Sequence, residues 1–166
     1  TIEAFHRCGI NRVSLGVQSL NPLTLSTLDR DHREDDVRRV MHLLLESGFT
    51  VSVDLIIAAP KQTLDAASRD IEAITSLGAQ HVSVYCLTWE QGTAFWGKRA
   101  RGTLTPVAED VEHEMFELAI DRLSSSGYQQ YEISNFAQPE MMCRHNEAYW
   151  DCRPWEAFGP GAARFD

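Results

Sequence analysis

The sequence has no apolar run long enough to cross a bilayer, and its first residues, "TIEAFHRCG", show no basic stretch followed by an apolar one. A membrane-spanning helix and a secretion leader are therefore not expected. Positive charge is also scarce: Lys and Arg number 15 against 24 Asp and Glu, for a net charge of -9. That balance would repel a phosphate backbone, so no nucleic-acid partner is expected. Clustered thiols are missing as well. Cys8, Cys86, Cys143 and Cys152 form no CxxC pair and no dense disulfide framework, so they are read as reduced thiols in a cytoplasmic setting. Cys8 and Cys86 are expected to be inert and packed. There is no Walker loop, GxGxxG, GxSxG or HExxH, which excludes the commonest phosphate, dinucleotide, serine-hydrolase and zinc-protease signatures.

What remains is the composition of an ordinary globular protein, 43% hydrophobic and 23% charged over 166 residues, enough for a substantial core. "TIEAFHRCG" reads as the end of a helix that stops at Gly9. "NRVSLGVQS" alternates as a strand, and "NPLTLSTL" opens a helix with Asn21 as cap and Pro22 at the first helical position. A longer amphipathic helix is predicted from about Arg33 to Ser47, with Val37, Val40, Met41, Leu44 and Leu45 on one stripe. "FTVSVDLII", "TLDAASRDIEAITSLG" and "HVSVYCLT" then read as strand, helix and strand. This alternation predicts an α/β fold with three parallel strands joined by right-handed crossovers.

After the third strand, "TWEQGTAFWGKRARGTL" reads as a loop whose "KRAR" run is a solvated face. "TPVAEDVEHEMFELAIDRLSSSGY" is a long helix, "QQYEISNFA" an extended segment, and "RPWEAFGPGAARFD" a loop.

The strand faces carry the functional signal. Val51, Val53, Leu55 and Ile57 give the second strand one apolar face; Val82, Val84 and Cys86 do so for the third. The opposite faces present Ser14, Gly16 and Gln18, then Ser52 and Asp54, then Ser83 and Tyr85. A parallel sheet covered on both sides should be apolar on both. A small, polar face suits the lumen of an open barrel that holds a polar ligand. Asp54 stands out there, because an ionised carboxylate in a strand interior needs a partner, either a ligand or a loop arginine in a salt bridge. In "CRHNEAYW", His145 and Tyr149 are four apart and share a helix face. Both residue types serve as axial haem ligands, although such a spacing by itself more often marks a packing pair.

The ordered blocks "GINRVSLGVQSL", "LDRDH", "VSVDLIIAAPKQT", "HVSVYCLTWEQGTAF", "YQQYEISNFA", "CRHNEAYW" and "FGPGAA" resemble one family across nearly the whole chain. It is that of the oxygen-independent coproporphyrinogen III oxidases and their HemW-like haem-chaperone branch, both radical S-adenosylmethionine enzymes. The resemblance implies the C-terminal half of a partial (β/α)6, TIM-like barrel over residues 1–104, followed by a C-terminal region over 105–166. It implies S-adenosylmethionine held by Gln18, Arg30, Asp54 and, by a weaker match, Thr88. Asp54 would accept from an adenosyl hydroxyl, Gln18 would offer a donor and an acceptor, and Arg30 would pair with the carboxylate.

The family's [4Fe–4S] motif and its glycine-rich block lie upstream of the matched blocks and are not in this sequence, so these residues alone are expected to hold no cluster and to be inactive. His145, Asn146 and Tyr149 match the chaperone branch's HNxxY motif. They imply a protein that binds haem and delivers it to an acceptor protein. The alternative is an oxidase that decarboxylates two propionates of coproporphyrinogen III to vinyls. Two departures stand out: Ala58 and Lys61 replace glycines of the family's "GLPGQT", and Ala162, Ala163 and Arg164 replace a block that carries a histidine.

Overall fold

The structure is a computed structural model and describes residues 2–166. Helix α1 (Ile2–Arg7) leads into strand β1 (Arg12–Gln18), followed by α2 (Pro22–Thr27) and α3 (Glu34–Glu46). Strand β2 (Thr50–Ile57), α4 (Leu64–Ser76) and β3 (His81–Cys86) complete the crossover pattern. The remainder is α5 (Ala94–Ala100), α6 (Glu109–Ser125), β4 (Gln129–Gln130), β5 (Asn135–Ala137) and α7 (Arg144–Trp150).

One five-stranded sheet runs in the order β1-β2-β3-β5-β4. The three strands expected to be parallel are parallel, with Leu15 beside Val53 and Val53 beside Val82. The segment "QQYEISNFA" is not one extended piece but a hairpin. Its β5 lies antiparallel to β3, with Phe136 beside Val82, and its β4 lies antiparallel to β5. The turn closes because the Tyr131 N–H donates to the Asn135 carbonyl and the Glu132 carboxylate accepts from the Ser134 N–H.

The core lies on the apolar face of the sheet. Val51, Val53, Leu55, Ile57, Val82 and Val84 are all 2% exposed or less. They pack with Val37, Met41 and Leu44 of α3, Ile71 and Ile74 of α4, and Met115, Ala119 and Leu123 of α6. Each such Val, Leu, Ile or Met side chain contributes about 1.5–3 kcal/mol when buried. Asn21 caps α2 by accepting from the Leu23 and Thr24 N–H groups, with Pro22 first in the helix.

Residues 94–100 correct the sequence reading, which had a loop there. Thr93 accepts from the Trp96 N–H and starts α5. The basic run is not merely solvated either: Lys98 pairs with Asp29 at 2.7 Å, and Arg99 lies over the rings of Trp89 and Trp96. Cys8 also departs from expectation, since it is exposed and not packed.

The loop after β2 keeps its tight turn without glycine. Ala58 and Lys61 both adopt left-handed backbone, with φ of 58 and 67. Gln62 closes the loop, its side-chain oxygen accepting from the Ala59 N–H while its own N–H donates to the Ala59 carbonyl.

Candidate functional site

The polar face of β1–β3 carries two groups of residues, one at each end. At the C-terminal ends of the strands the pairing of β1 with β2 slips: Gly16 sits beside Asp54, but Gln18 sits beside Leu55. Gln18 takes up the slip as a left-handed residue with φ 66. Its amide nitrogen lies only 2.8 Å from where a Cβ on Gly16 would stand. Because residue 16 has no side chain, Gln18 can fold back over the lumen.

Asp54 is half-buried beneath this position, and the Ser14 hydroxyl lies 3.1 Å from each of its carboxylate oxygens. No ion pair to Asp54 occurs among the described residues, so the loop arginine considered as a structural partner is not there. Gln18, Asp54 and Thr88 line one cavity of about 640 Å³, together with Tyr85, Ile56 and Phe116. Thus three of the four residues matched to S-adenosylmethionine binding converge.

Arg30 does not join them. It is exposed and lines a separate cavity of about 710 Å³ among Asp29, Asp31, Glu34 and Asp35. Its loop is nevertheless tied to the end of β1, since a His32 ring nitrogen lies 2.8 Å from the Val17 carbonyl. Asp70 of α4 braces the same strand end. It accepts from the Ser19 hydroxyl at 2.5 Å and from the Leu20 N–H at 2.9 Å, and burial pushes its carboxyl above the ordinary value. The sequence reading missed Asp70; its only signal was an acid on the buried stripe of α4.

The second group lies at the N-terminal ends of the strands. His81 is fully buried, with Nδ1 2.7 Å from the Ser52 hydroxyl and Nε2 2.8 Å from the Tyr131 hydroxyl. The Tyr131 hydroxyl also accepts from the Cys143 N–H at 3.3 Å and from the Asn146 side-chain amide at 3.1 Å. Burial, reinforced by the Arg12 guanidinium, lowers His81 to about 4. Arg12 itself donates to the Met141 and Met142 carbonyls, just ahead of α7.

Helix α7 divides its motif between two environments. Asn146 is half-buried and engaged with Tyr131, whereas His145 and Tyr149 are exposed, Tyr149 by 56%. The rings of His145 and Tyr149 lie 5.3 and 5.6 Å from that of Trp155, which stacks on Phe165 at 5.0 Å. Trp150, half exposed, stands edge-on to Tyr149. His145 also borders a cavity of about 690 Å³ with Met141, Met142 and Cys143.

Among the described residues no group of three or more His, Cys, Asp or Glu side chains could hold a metal ion, and burial pushes the Cys86 thiol up to about 11. No helix among them is long and apolar enough to cross a membrane.

The chain has relatives among known proteins. Residues 1–74 match the Radical SAM superfamily. The chain is 41% identical over 155 residues to the "Heme chaperone HemW" of Mycobacterium tuberculosis, covering 93% of this chain and 40% of the relative. It is 36% identical to that of Bacillus subtilis, covering 97% and 43%. It is also 36% identical to the mouse "Radical S-adenosyl methionine domain-containing protein 1, mitochondrial", covering 97% and 37%. Among solved structures, the coproporphyrinogen III oxidase HemN of Escherichia coli shares the fold, with a TM-score of 0.79 at 21% identity over 99% of this chain and 41% of that one. The chain therefore belongs to the radical S-adenosylmethionine superfamily. Within it, the chain is HemW-like. It spans about two fifths of the length of these curated relatives.

The superfamily's cofactors are S-adenosylmethionine and a [4Fe–4S] cluster. The first fits the residues present, because a roomy cavity presents a carboxylate, a carboxamide and a hydroxyl at the strand ends. The second has no ligand set among the described residues.

Proposed function

We propose that this chain is part of a HemW-like protein that binds haem on α7 and passes it to an acceptor protein, with S-adenosylmethionine at the opposite end of the sheet. In this reading residues 1–104 form the barrel portion and residues 105–166 the region that carries the cargo. The observation that supports it is the exposed face of α7. His145 and Tyr149, two side chains able to bond haem iron, stand against Trp155 on an aromatic surface that suits a flat apolar macrocycle. Asn146 serves as the helix's anchor and not as a ligand.

At the other end, Asp54 accepts from a ribose hydroxyl, with Ser14 holding the carboxylate in place. Gln18 and Thr88 complete the polar wall, and Arg30 meets the ligand's carboxylate after a movement of its loop. When bound with the cluster, S-adenosylmethionine supplies one-electron radical chemistry, for which these residues provide orientation. The oxidase alternative is supported by the shared fold alone.

Titrating the full-length protein with haem should shift the Soret band, and His145→Ala should weaken that binding. An unchanged titration would remove His145 from the site. In an anaerobic assay of cluster-reconstituted full-length protein with coproporphyrinogen III, no vinyl product is expected; its formation would establish the oxidase instead.

A further inference from the structure

The hydrogen-bonding capacity of the Tyr131 hydroxyl is fully used by His81, Cys143 and Asn146. A phenol has one proton to donate and two lone pairs to accept with. Both lone pairs are taken, one by the Cys143 N–H at the N-cap of α7 and one by the Asn146 amide within its first turn. The one proton must then go to Nε2 of His81, which lies 2.8 Å away. His81 is thereby fixed as the neutral tautomer protonated on Nδ1, and Nδ1 donates to the Ser52 hydroxyl at 2.7 Å. A continuous chain runs from β2 through β3 and the β4–β5 turn into α7.

The helix has little else to hold it. Of its seven residues only Ala148 is buried, and its side-chain cap is missing, since the Cys143 thiol makes no capping hydrogen bond. Arg12 tethers the two residues before Cys143 through their carbonyls but does not reach the helix itself.

We infer that Tyr131 is the positioning residue of α7: its hydroxyl, oriented by His81 and Ser52, sets the angle at which the helix presents His145 and Tyr149. The link to cargo rests on the haem reading above, while the grip on the helix does not. Rotation of α7 about its axis would turn both His145 and Tyr149 away from Trp155, so the shared face they present stays against that ring only while Cys143 and Asn146 stay bonded to Tyr131.

The test is Tyr131→Phe in the full-length protein, which removes only the hydroxyl. Without haem, amide hydrogen exchange across Cys143–Ala148 should speed up by roughly tenfold while the amides of β2 and α4 keep their protection. With haem, binding should weaken roughly tenfold or more, with a displaced Soret maximum. His81→Gln, whose side-chain carbonyl can still accept from Tyr131, should keep both properties near wild type, whereas His81→Leu should behave as Tyr131→Phe does. Unchanged exchange in Tyr131→Phe would overturn the positioning role whatever happens with haem. Faster exchange with unaltered haem binding, in a protein whose binding does depend on His145, would overturn the link to cargo. If the wild type bound no haem at all, the functional reading would fail while the exchange result still decided whether Tyr131 holds the helix.

Discussion

His81 is the residue whose protonation folding changes most clearly. Burial and the Arg12 charge lower it from 6.5 to about 4, so between those pH values an unfolded chain binds a proton that the folded one refuses. Its contribution to stability is therefore complete above pH 6.5 and is lost as the pH falls towards 4, by roughly 3 kcal/mol in all. Chemical denaturation at a series of pH values should show this slope in the wild type and lose most of it in His81→Gln. Asp70 has the opposite sign, its raised carboxyl favouring the folded state at low pH, but it is present in both proteins and cancels in the difference. Backbone strain gives a second test at this scale. Lys61 is exposed and left-handed, a conformation that disfavours any residue with a Cβ, so Lys61→Gly should raise stability by about 1 kcal/mol in thermal or urea unfolding. Gln18 has the same conformation, but there the side chain lines the cavity, and the strain sits where strained residues are often functional.

Helix α6 shows how an element is held. Met115, Ala119 and Leu123 recur every fourth residue and are fully buried against the sheet and α4. Leu123→Ala should destabilise by roughly 2–5 kcal/mol, read as a lower denaturation midpoint with an unchanged slope. Elements of this kind were legible in the sequence, because a periodic apolar stripe bounded by caps and glycines is a local signal. So were β1–β3 and the polar character of one sheet face. Helix α5 was not, since Gly97 and the run of aromatic and basic residues hide its period, and the Thr93 cap is a weak cue. In sequence the β4–β5 hairpin reads as a single extended piece because its turn holds neither Gly nor Pro. At the site, Gln18 and Asp54 were legible from alternation. The chain Ser52–His81–Tyr131–Asn146 was not, because successive members are up to 50 residues apart and no local pattern marks them.

Across the whole molecule, the polar sheet face serves both candidate sites: its C-terminal end lines the cavity with Asp54 and Gln18, and its N-terminal end holds, through Ser52, His81 and Tyr131, the helix α7 that carries the other. Asp54 and Ser52 are two residues apart on β2, about 7 Å of strand, yet one faces the upper cavity and the other is engaged by His81. Removing the upper carboxylate should therefore weaken S-adenosylmethionine binding and leave α7 undisturbed, while changes on α7 should do the reverse. The most direct measurement is a Soret titration with haem of three full-length proteins: wild type, His145→Ala and Asp54→Ala. Wild type and Asp54→Ala should bind alike and His145→Ala should bind clearly more weakly. Equal binding by all three, or a loss confined to Asp54→Ala, would contradict a haem site on α7.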